Sequence, residues 1–404
     1  MTITINNKNK KPNVPNLRFK EFEGEWKEST IGEMFDLYSG NTPSRLNKEH
    51  FKGTVNWISS GELKEHYIYS SKEQISEEAA KSLKLLPVGT FVIAIYGLEA
   101  EGVRGTGSIT QEPSTISQAC MSFIPKGVIE NEFLYSWYKK HGNVIGIRYA
   151  QGTKQQNLSY DILEKFRIAY PNTKEQEKLN KFISLLDERI ATQSKIIEDL
   201  KKLKSAIIEN HYNQTEKQTA SIADLGEPFS VGNLAKDDLT ETGMPCVVYG
   251  ELFTTYGETI SQIVSHTNKT TGMILSKKGD LLFPSSTTVD AMSLIAPSVI
   301  NVDGVILGGD MFGIHINHNY NAQYLSYYFN HIAKRQLAKF AKGSTIIHLH
   351  YADIEKAKLL LPSLEEQNRM AKCIMSLDAK INIESFFISL LNSQKTHLLR
   401  QMFI

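Results

Sequence analysis

Two segments of the sequence combine basic side chains with a small glycine loop, which suits them to contacting a phosphate backbone. Residues 139–167 hold six Lys/Arg and two Asp/Glu, and residues 330–358 hold the same numbers. Each segment is therefore formally +4, in a chain whose net charge is +1. Gly152-Thr153 and Gly343-Ser344 form the loops inside them. A basic run is often only a solvated face, but its duplication with equal charge favours a phosphate contact.

Candidate base contacts are hydroxyl, amide and charged side chains on turns that could enter a DNA groove. In the first half of the chain they are Ser39, Asn41, Thr42, Arg45, Ser60, Tyr96, Arg104 and Thr106. In the second half they are Tyr249, Glu251, Ser285, Ser286, Thr287 and Lys342. Lys154 and Lys342 are predicted to anchor phosphates, with Gln155 and Ser344 beside them in the loops. Each of these side chains could instead stabilise a turn or cap a helix.

Catalytic motifs are missing from the sequence. It contains no GxxxxGK[ST] phosphate loop and no Asn/Asp-Pro-Pro-Tyr/Phe run of the kind that holds an amino group for methylation. No Ser/His/Asp order or pair of carboxylates stands out from the background. Four histidines suggest a metal site but lack a companion Cys or carboxylate pattern, namely His315, His318, His348 and His350.

Composition sets the broad class. A chain of 404 residues has room for two or three domains, and 41% hydrophobic residues with 22% charged residues are typical of a globular protein. The three cysteines form no CxxC, which argues against disulfides or structural zinc. The N-terminus has no apolar core of a signal peptide, and no apolar run is long enough to span a membrane. We therefore expect a cytoplasmic protein that does not enter a membrane.

A long helix is predicted over residues 172–212. Asn172 can cap it, and Glu175 completes a capping box. Stepping alternately by four and three residues along the helix passes ten positions, of which seven are apolar. This spacing is typical of a coiled-coil seam rather than of the wide apolar face of a core helix. Gln193 and Lys204 interrupt the seam.

The same helix recurs 191 residues later, over residues 363–404. Ser363 and Glu366 repeat the cap, and Glu384 and Lys395 repeat two of the seam interruptions. An ordinary amphipathic helix would not place its seam defects identically twice. The chain is therefore an internal repeat of about 191 residues. We expect the seam to close within one chain, between the two helices.

The repeat defines the domain organisation. A mobile Asn/Lys-rich tail is expected at residues 1–16, and two variable domains, rich in strands and turns, at residues 17–171 and 213–362. Short aromatic helices within them, at residues 132–138 and 323–329, are predicted to belong to the core. The predicted fold class is α+β, with two mixed α/β domains separated by two long antiparallel helices.

Several short sequence motifs match one family, and they occur in the same order as in that family, some of them in both repeats. The chain resembles the specificity subunit of type I restriction–modification systems over about residues 14 to 404. The matching phrases are Val14-Pro15-Asn16-Leu17-Arg18-Phe19, Ser39-Gly40-Asn41-Thr42-Pro43, the Gly152-Thr153 loop, the Pro171 to Gln176 junction and Glu365-Glu366-Gln367.

The resemblance implies a division of labour. Each variable domain would be a target recognition domain that reads one half of a split double-stranded DNA target. The helices would fix the spacing and dock two modification (methyltransferase) subunits. Those subunits would carry S-adenosylmethionine, and restriction subunits would use ATP and Mg²⁺, so this chain would be a non-catalytic reader that binds no cofactor itself. Because the two domains differ, the target should be gapped and non-palindromic, with the readers about 34–36 Å apart.

Other interpretations stay open from the sequence. The chain could serve a methyltransferase system that lacks the ATP-driven restriction subunit, since that distinction lies in the partners. A coiled-coil scaffold that does not bind DNA would explain the helices and the missing motifs, but not the two +4 segments. A stand-alone enzyme ranks third, because no catalytic motif supports it.

Overall fold

The computed structural model describes residues 13–100, 102–152 and 156–404, and the chain divides into two compact units. Unit 1 comprises residues 1–193 and 387–404, and unit 2 comprises residues 194–386. Both boundaries fall inside the long helices. Each unit therefore contains one variable domain and one part of each helix.

Unit 1 is built on a mixed five-stranded sheet. Its strands are β1 (Lys27–Thr30), β2 (Phe35–Ser39), β3 (Val55–Ile58), β4 (Tyr67–Ile68), β5 (Gln74–Ile75), β6 (Phe91–Ala94), β7 (Gly107–Thr110), β8 (Ser114–Ile116), β9 (Cys120–Pro125) and β10 (Arg167–Tyr170). Its helices are α1 (Ile31–Met34), α2 (Glu77–Lys81), α3 (Asn131–Tyr149), α4 (Tyr160–Leu163) and the first part of α5 (Thr173–Gln214). The sheet order is β2-β9-β6-β7-β4, with a three-stranded sheet β5-β3-β8 and a β1-β10 pair beside it.

The core of unit 1 lies between the five-stranded sheet and α3. Strand β6 is a continuous apolar run whose four residues are all buried, as expected for a central strand covered on both faces. Helix α3 packs on β6, β7 and β9. Its residues 133–138 are all buried, which confirms that the aromatic stripe belongs to the core.

Unit 2 repeats this plan. Its strands are β11 (Gln218–Ser221), β12 (Gly226–Ser230), β13 (Leu239–Thr240), β14 (Met244–Val248), β15 (Thr259–Ile260), β16 (Ser265–Thr267), β17 (Ile274–Leu275), β18 (Asp280–Pro284), β19 (Ser286–Thr287), β20 (Ser298–Ile300), β21 (Ile306–Gly308), β22 (Met311–Ile316), β23 (Ile347–His348) and β24 (Lys358–Leu361). Its helices are the last part of α5, α6 (Glu251–Thr254), α7 (Ala291–Leu294), α8 (Ala322–His331), α9 (Lys334–Ala338), α10 (Tyr351–Ile354) and most of α11 (Leu364–Met402), whose last part belongs to unit 1.

The strand order of unit 2 matches that of unit 1. Its sheet β12-β22-β18-β20-β15 has the same sequence of neighbours as β2-β9-β6-β7-β4, and a second five-stranded sheet runs β13-β16-β14-β21-β17. Two separate two-stranded sheets, β11-β24 and β19-β23, complete the strands of unit 2. Residues 323–329 of α8 are buried, like their counterparts in α3. The predicted repeat of two mixed α/β domains is confirmed.

The two long helices are confirmed, and they pack antiparallel within each unit. In unit 1, Asp187 of α5 binds Lys395 of α11, and Arg189 two residues later stacks on Phe387. As the residue number increases along α5, the number of the contacting residue on α11 therefore decreases, which is the relation expected for antiparallel helices. In unit 2 the same relation holds between the pairs Lys204–Asp378 and His211–Glu366.

The segment from Asn13 onward packs with the last turns of the second long helix in unit 1. The Trp26 N–H donates to the carbonyl of Asn13 (2.7 Å), and Leu17 N–H donates to that of Gln401 (3.0 Å). Phe403 is buried against Phe133, with the ring centroids 5.2 Å apart. Of the tail predicted to be mobile, residues 1–12 lie outside the described residues, and the part from Asn13 onward is packed.

A polar cluster joins the helices to the sheet of unit 1. His66 stacks between Tyr67 and Tyr135, with centroid distances of 4.1 and 3.9 Å. Its Nε2 lies 2.8 Å from Glu132 Oε2, and its Nδ1 lies 3.3 Å from Asp187 Oδ2. Burial opposes protonation of this imidazole, but the two carboxylates outweigh it and raise the pKa of His66.

Unit 2 holds a corresponding cluster around Lys204. The Lys204 ammonium binds Glu258 and, at 2.5 Å, Asp378 Oδ1. His331 Nε2 lies 2.6 Å from Glu258, and the Tyr327 hydroxyl donates to Asp378 (2.7 Å). Lys204 and Lys395 lie 191 residues apart, as do Asp378 and Asp187. Two of the seam interruptions, Lys204 and Lys395, thus bind carboxylates at the helix pair. Lys204 also reaches Glu258 of the variable domain, whereas Lys395 binds Asp187, which in turn lies beside His66.

Candidate nucleic-acid interface

An open cavity of about 510 Å³ lies beside the Gly152 loop in unit 1, and we call it the loop cavity of unit 1. Its wall is formed where the chain leaves β6: the Ile95 N–H donates to the carbonyl of Ala119 (2.9 Å), and the Ile95 carbonyl accepts from Leu158 N–H (2.9 Å). A single bridge pairs Tyr96 with Asn157. Tyrosine, amide and hydroxyl residues are thus among those that line the cavity.

Unit 2 has an equivalent cavity of about 420 Å³, the loop cavity of unit 2. The Ser285 N–H donates to the carbonyl of Asp310 (2.7 Å), and the Ser285 carbonyl accepts from Leu349 N–H (2.9 Å). Here β19 and β23 pair Ser286 with His348. The backbone contacts of the first unit thus recur, at positions 190 or 191 residues later.

A second and larger cavity of about 890 Å³ adjoins this region, and we call it the large cavity of unit 2. The short helix α6 contributes Phe253 to its lining, Tyr249 lines it just before that helix, and β19 contributes Ser286 and Thr287. Asp310 lines both this cavity and the loop cavity of unit 2. The two cavities therefore share one edge, which carries a carboxylate.

The structure brings together some of the predicted contact residues of unit 1. Ser39 and Tyr96 both line the loop cavity. Lys154 and Gln155, predicted in the adjoining loop, lie outside the described residues. Ser60 begins a short 3₁₀ turn that Ser59 caps, and it is not among the residues that line this cavity.

Other predicted residues of unit 1 make internal contacts. Arg45 forms a bidentate ion pair with Glu73, with both distances 2.7 Å. Arg104 Nε donates to the Leu98 carbonyl (2.9 Å), and Thr106 Oγ1 donates to the Val103 carbonyl (2.7 Å), so both hold their own loop. Asn41 Oδ1 accepts from Thr42 N–H (2.8 Å), a turn contact.

The predicted residues of unit 2 divide in the same way. Tyr249, Ser286 and Thr287 line the large cavity, and Ser285 lines the loop cavity. Glu251 is buried, and its carboxylate accepts hydrogen bonds from Val248 N–H (2.9 Å) and from the Ser265 hydroxyl. Its carboxylate is thus held by groups of its own unit.

The Gly343 loop of unit 2 presents the remaining candidates. Ser344 is exposed. The exposed Lys342 places its Nζ 2.5 Å from Asp353 Oδ1, so a phosphate would compete with this carboxylate for the ammonium group. Lys342 also forms a bridge with His348, which fixes the loop beside β23.

The basic segments are partly used inside the protein. Lys140 Nζ donates to the Phe403 carbonyl (2.5 Å), and burial lowers the pKa of Lys140. Lys139 lies over the ring of Tyr135, and burial likewise lowers its pKa. The formal +4 of residues 139–167 therefore overstates the charge that this segment can offer to a phosphate.

Sequence reasoning did not select Asp310, which lines both cavities of unit 2. Comparing the repeats position by position would have found it, because Asp310 lies 191 residues after Ala119, where the other unit has no charge. Among the residues that the structure describes, no three His, Cys, Asp or Glu side chains are grouped to hold a metal ion. In the same part of the chain, no helix is long and apolar enough to cross a membrane.

Comparison with known proteins identifies the family. The model of the type I restriction modification DNA specificity domain matches residues 23–202 and again residues 215–389. These two matches cover most of the chain, which therefore belongs to the family of type I restriction modification DNA specificity domains. The double match also agrees with the repeat seen in the sequence.

Curated relatives carry the same description. The chain is 28% identical over 194 residues to the MjaIX specificity subunit of Methanocaldococcus jannaschii, covering 46% of this chain and 44% of that one. It is 30% identical over 222 residues to the EcoR124I/EcoR124II specificity subunit of Escherichia coli, covering 54% and 52%. These matches span about half the length of both relatives. The MjaVIII specificity subunit of M. jannaschii is 22% identical over 402 residues, 91% of this chain and 90% of that one.

Solved structures share the fold. The crystal structure of the S subunit of a type I restriction–modification system from M. genitalium aligns with a TM-score of 0.58 at 16% identity, covering 97% of this chain and 99% of that chain. A chain from a study of complex assembly in the type I system aligns with a TM-score of 0.58 at 14% identity, covering 93% and 96%. The arrangement of two variable domains with two long helices is therefore common to these proteins.

Proposed function

We propose that this chain is the DNA-reading subunit of a type I restriction–modification complex, and that each unit reads one half of a bipartite, gapped target. One observation carries the proposal: the two units share strand order and cavity frame, while the side chains that line their cavities differ. A shared frame with different linings suits two readers that bind the same kind of molecule and select different sequences.

The long helices would fix the distance between the two half-sites and dock two modification subunits. Two ion-pair clusters support the first role. Lys204 binds Glu258 of the variable domain in unit 2. In unit 1 the Asp187 partner of Lys395 lies 3.3 Å from His66 of the variable domain. Exposed apolar side chains on α11, such as Ile383 and Phe386, support the second, since residues three apart lie on one helix face. Methylation, with S-adenosylmethionine, and restriction, with ATP and Mg²⁺, would belong to partner subunits, so the proposed role of this chain is non-catalytic.

Methylation mapping tests the proposed function. In cells that carry the chain with its modification partner, methylated sites should share one motif with two specified parts and unspecified bases between them. Deleting the gene for this chain while keeping the modification subunit should abolish methylation at that motif. A continuous palindromic motif, or a motif that survives the deletion, would contradict the proposal.

Phosphate contact by the glycine loops gives a second prediction. Lys342→Ala should weaken binding to all DNA sequences alike and reduce the slope of log affinity against log salt by about one unit, because one ammonium group no longer displaces a counterion. Lys154→Ala should do the same in the other loop. The measurement is an electrophoretic shift of the complex with its modification partner over a salt series.

Lys356→Ala is the matched control for Lys342, because Lys356 lies in the same basic segment and its side chain is 92% exposed, with its ammonium group 3.8 Å from Glu355. We expect it to leave the salt slope unchanged. If Lys342→Ala alters which sequence is bound rather than how strongly all sequences are bound, Lys342 contacts bases and the anchor assignment is wrong.

A further inference from the structure

The repeat supplies an internal comparison of the two cavities. Ala119 and Asp310 are equivalent, because each carbonyl accepts from the residue that follows β6 or β18, namely Ile95 or Ser285. The backbone is therefore the same at this point in both units. Because the backbone conformation is the same in both units, it does not require the side chains at this point to differ. The side chains that do differ are therefore candidates for selecting different ligands.

Some side chains around the frame are retained. Ser39 recurs as Ser230, and Tyr160 recurs as Tyr351, each 191 residues later and each lining a loop cavity. A hydroxyl at the end of β2 or β12 and a phenol at the start of α4 or α10 are thus common to both units. These retained groups suit a feature that both half-sites share, such as the DNA backbone.

Other side chains at the frame change in chemical kind. Ala119 in unit 1 is replaced by Asp310 in unit 2, and Tyr96 is replaced by Ser286. Tyr96 lines the loop cavity of unit 1 and Asp310 lines the loop cavity of unit 2, whereas Ser286 lines the large cavity of unit 2. The first change introduces a charge, and it is the larger difference in hydrogen-bonding capacity, because alanine can neither donate nor accept through its side chain.

Asp310 is placed to contact a ligand. Its side chain is exposed and stands between the loop cavity and the large cavity of unit 2. The buried Ser286 hydroxyl donates to Asp310 Oδ2 (2.5 Å), which orients the carboxylate. Gly309, with φ of +91°, makes the turn that presents it. A carboxylate held in this way is preorganised rather than free to rotate.

The chemistry of a carboxylate restricts what it can recognise. An ionised carboxylate only accepts hydrogen bonds, and DNA phosphates repel it. On a surface that meets DNA it is favourable only where a donor faces it. The amino donors on base edges are adenine N6 and cytosine N4 in the major groove and guanine N2 in the minor groove, and the major groove is the one wide enough to admit a protein segment.

We propose that Asp310 is a specificity-determining residue of unit 2, which accepts a hydrogen bond from the major-groove amino group of an adenine or a cytosine in one half of the target. This inference rests on the proposed function of the chain. Unit 1 has Ala119 at the equivalent position, and this side chain cannot accept a hydrogen bond from a base. The two halves of the target should accordingly differ in whether an amino group is required at this point.

Asp310→Ala in the complex with its modification subunit tests the inference. Methylation mapping should show one position of one half of the motif relaxed, with discrimination reduced about ten- to a hundredfold, while the other half and the number of unspecified bases stay the same. The variant removes the acceptor of the buried Ser286 hydroxyl, so its thermal midpoint should fall by at most a few degrees while the chain stays folded, which a melting curve checks. Asp237→Ala, an exposed carboxylate elsewhere in unit 2, is the matched control and should leave the motif intact.

Binding to modified DNA makes the test atom-specific. At the relaxed position, an oligonucleotide whose adenine or cytosine lacks its amino group should bind the wild-type complex about tenfold or more weakly, and should bind Asp310→Ala without further loss. An unchanged motif in Asp310→Ala, changes in both halves, or equal losses in both proteins would overturn the inference. A wild-type complex without any gapped motif would instead overturn the proposed function itself, so the two failures are distinguishable.

Discussion

Glu175→Ala is expected to destabilise unit 1 by about 3–5 kcal/mol, because it removes one member of a buried ion pair and leaves the other without its counter-charge. Glu175 is only 1% exposed. Its carboxylate accepts two hydrogen bonds from Arg18, from Nε and Nη2 (both 2.7 Å), and a third from Trp26 Nε1 (3.3 Å). Hydrogen exchange in the first turns of α5 should report the loss, together with the thermal unfolding of the chain.

The repeat provides the matched control for this variant. Glu366 occupies the equivalent position 191 residues later, but its side chain is 32% exposed and it binds Arg369 and His211. Glu366→Ala should therefore cost less than about 1 kcal/mol, as is usual for ion pairs near the surface. Equal losses in the two variants would show that the Arg18 and Trp26 contacts do not carry the difference.

Lys204→Met is expected to destabilise unit 2, by about 3 kcal/mol. The side chain keeps its length and apolar stem, but Glu258 and Asp378 lose the ammonium group that lies between them. Burial by itself would raise the pKa of Glu258, and His331 and Lys204 together hold it below its ordinary value. We place the loss at the lower end of the range for broken buried pairs, because His331 and Tyr327 still bind the two carboxylates.

Limited proteolysis of unit 2 and hydrogen exchange around β15 would measure this effect. Lys202→Met is the control, since Lys202 lies on the same helix, is 68% exposed and pairs only with Glu198 at 2.5 Å among the contacts described for it. That variant should change stability by less than about 0.5 kcal/mol. A Lys204→Met protein as resistant as the control would mean that the cluster contributes nothing net to stability.

The helices and the repeat could be predicted from sequence for a simple physical reason. Helix caps and a seam spacing are local patterns, and a defect such as Lys204 becomes informative when Lys395 repeats it 191 residues later. The sequence also predicted that these residues face the other helix, and Lys204 does bind Asp378 of α11. Its second partner, Glu258, lies in the variable domain and follows no local rule.

Side-chain roles at the candidate interface could not be read in the same way. Arg45 and Glu73 are 28 residues apart, and only the folded loops bring them into an ion pair. Glu251 looks like an available acceptor in sequence, yet folding buries it under Val248 and Ser265. The residue type determines which hydrogen bonds or ion pairs a side chain can form, whereas the conformation of the loops determines which partner lies close enough to form them.

The division of the chain into units has a consequence for how the protein is made. Unit 2 is contiguous, residues 194–386, whereas the core of unit 1 includes Leu399, Met402 and Phe403 from the last stretch of α11. Domains usually complete folding in the order in which they leave the ribosome. Here the N-terminal domain must wait, with part of its apolar core uncovered, until unit 2 has been synthesised. We expect unit 2 to complete first, and unit 1 to depend on chaperones or on partner binding during that interval.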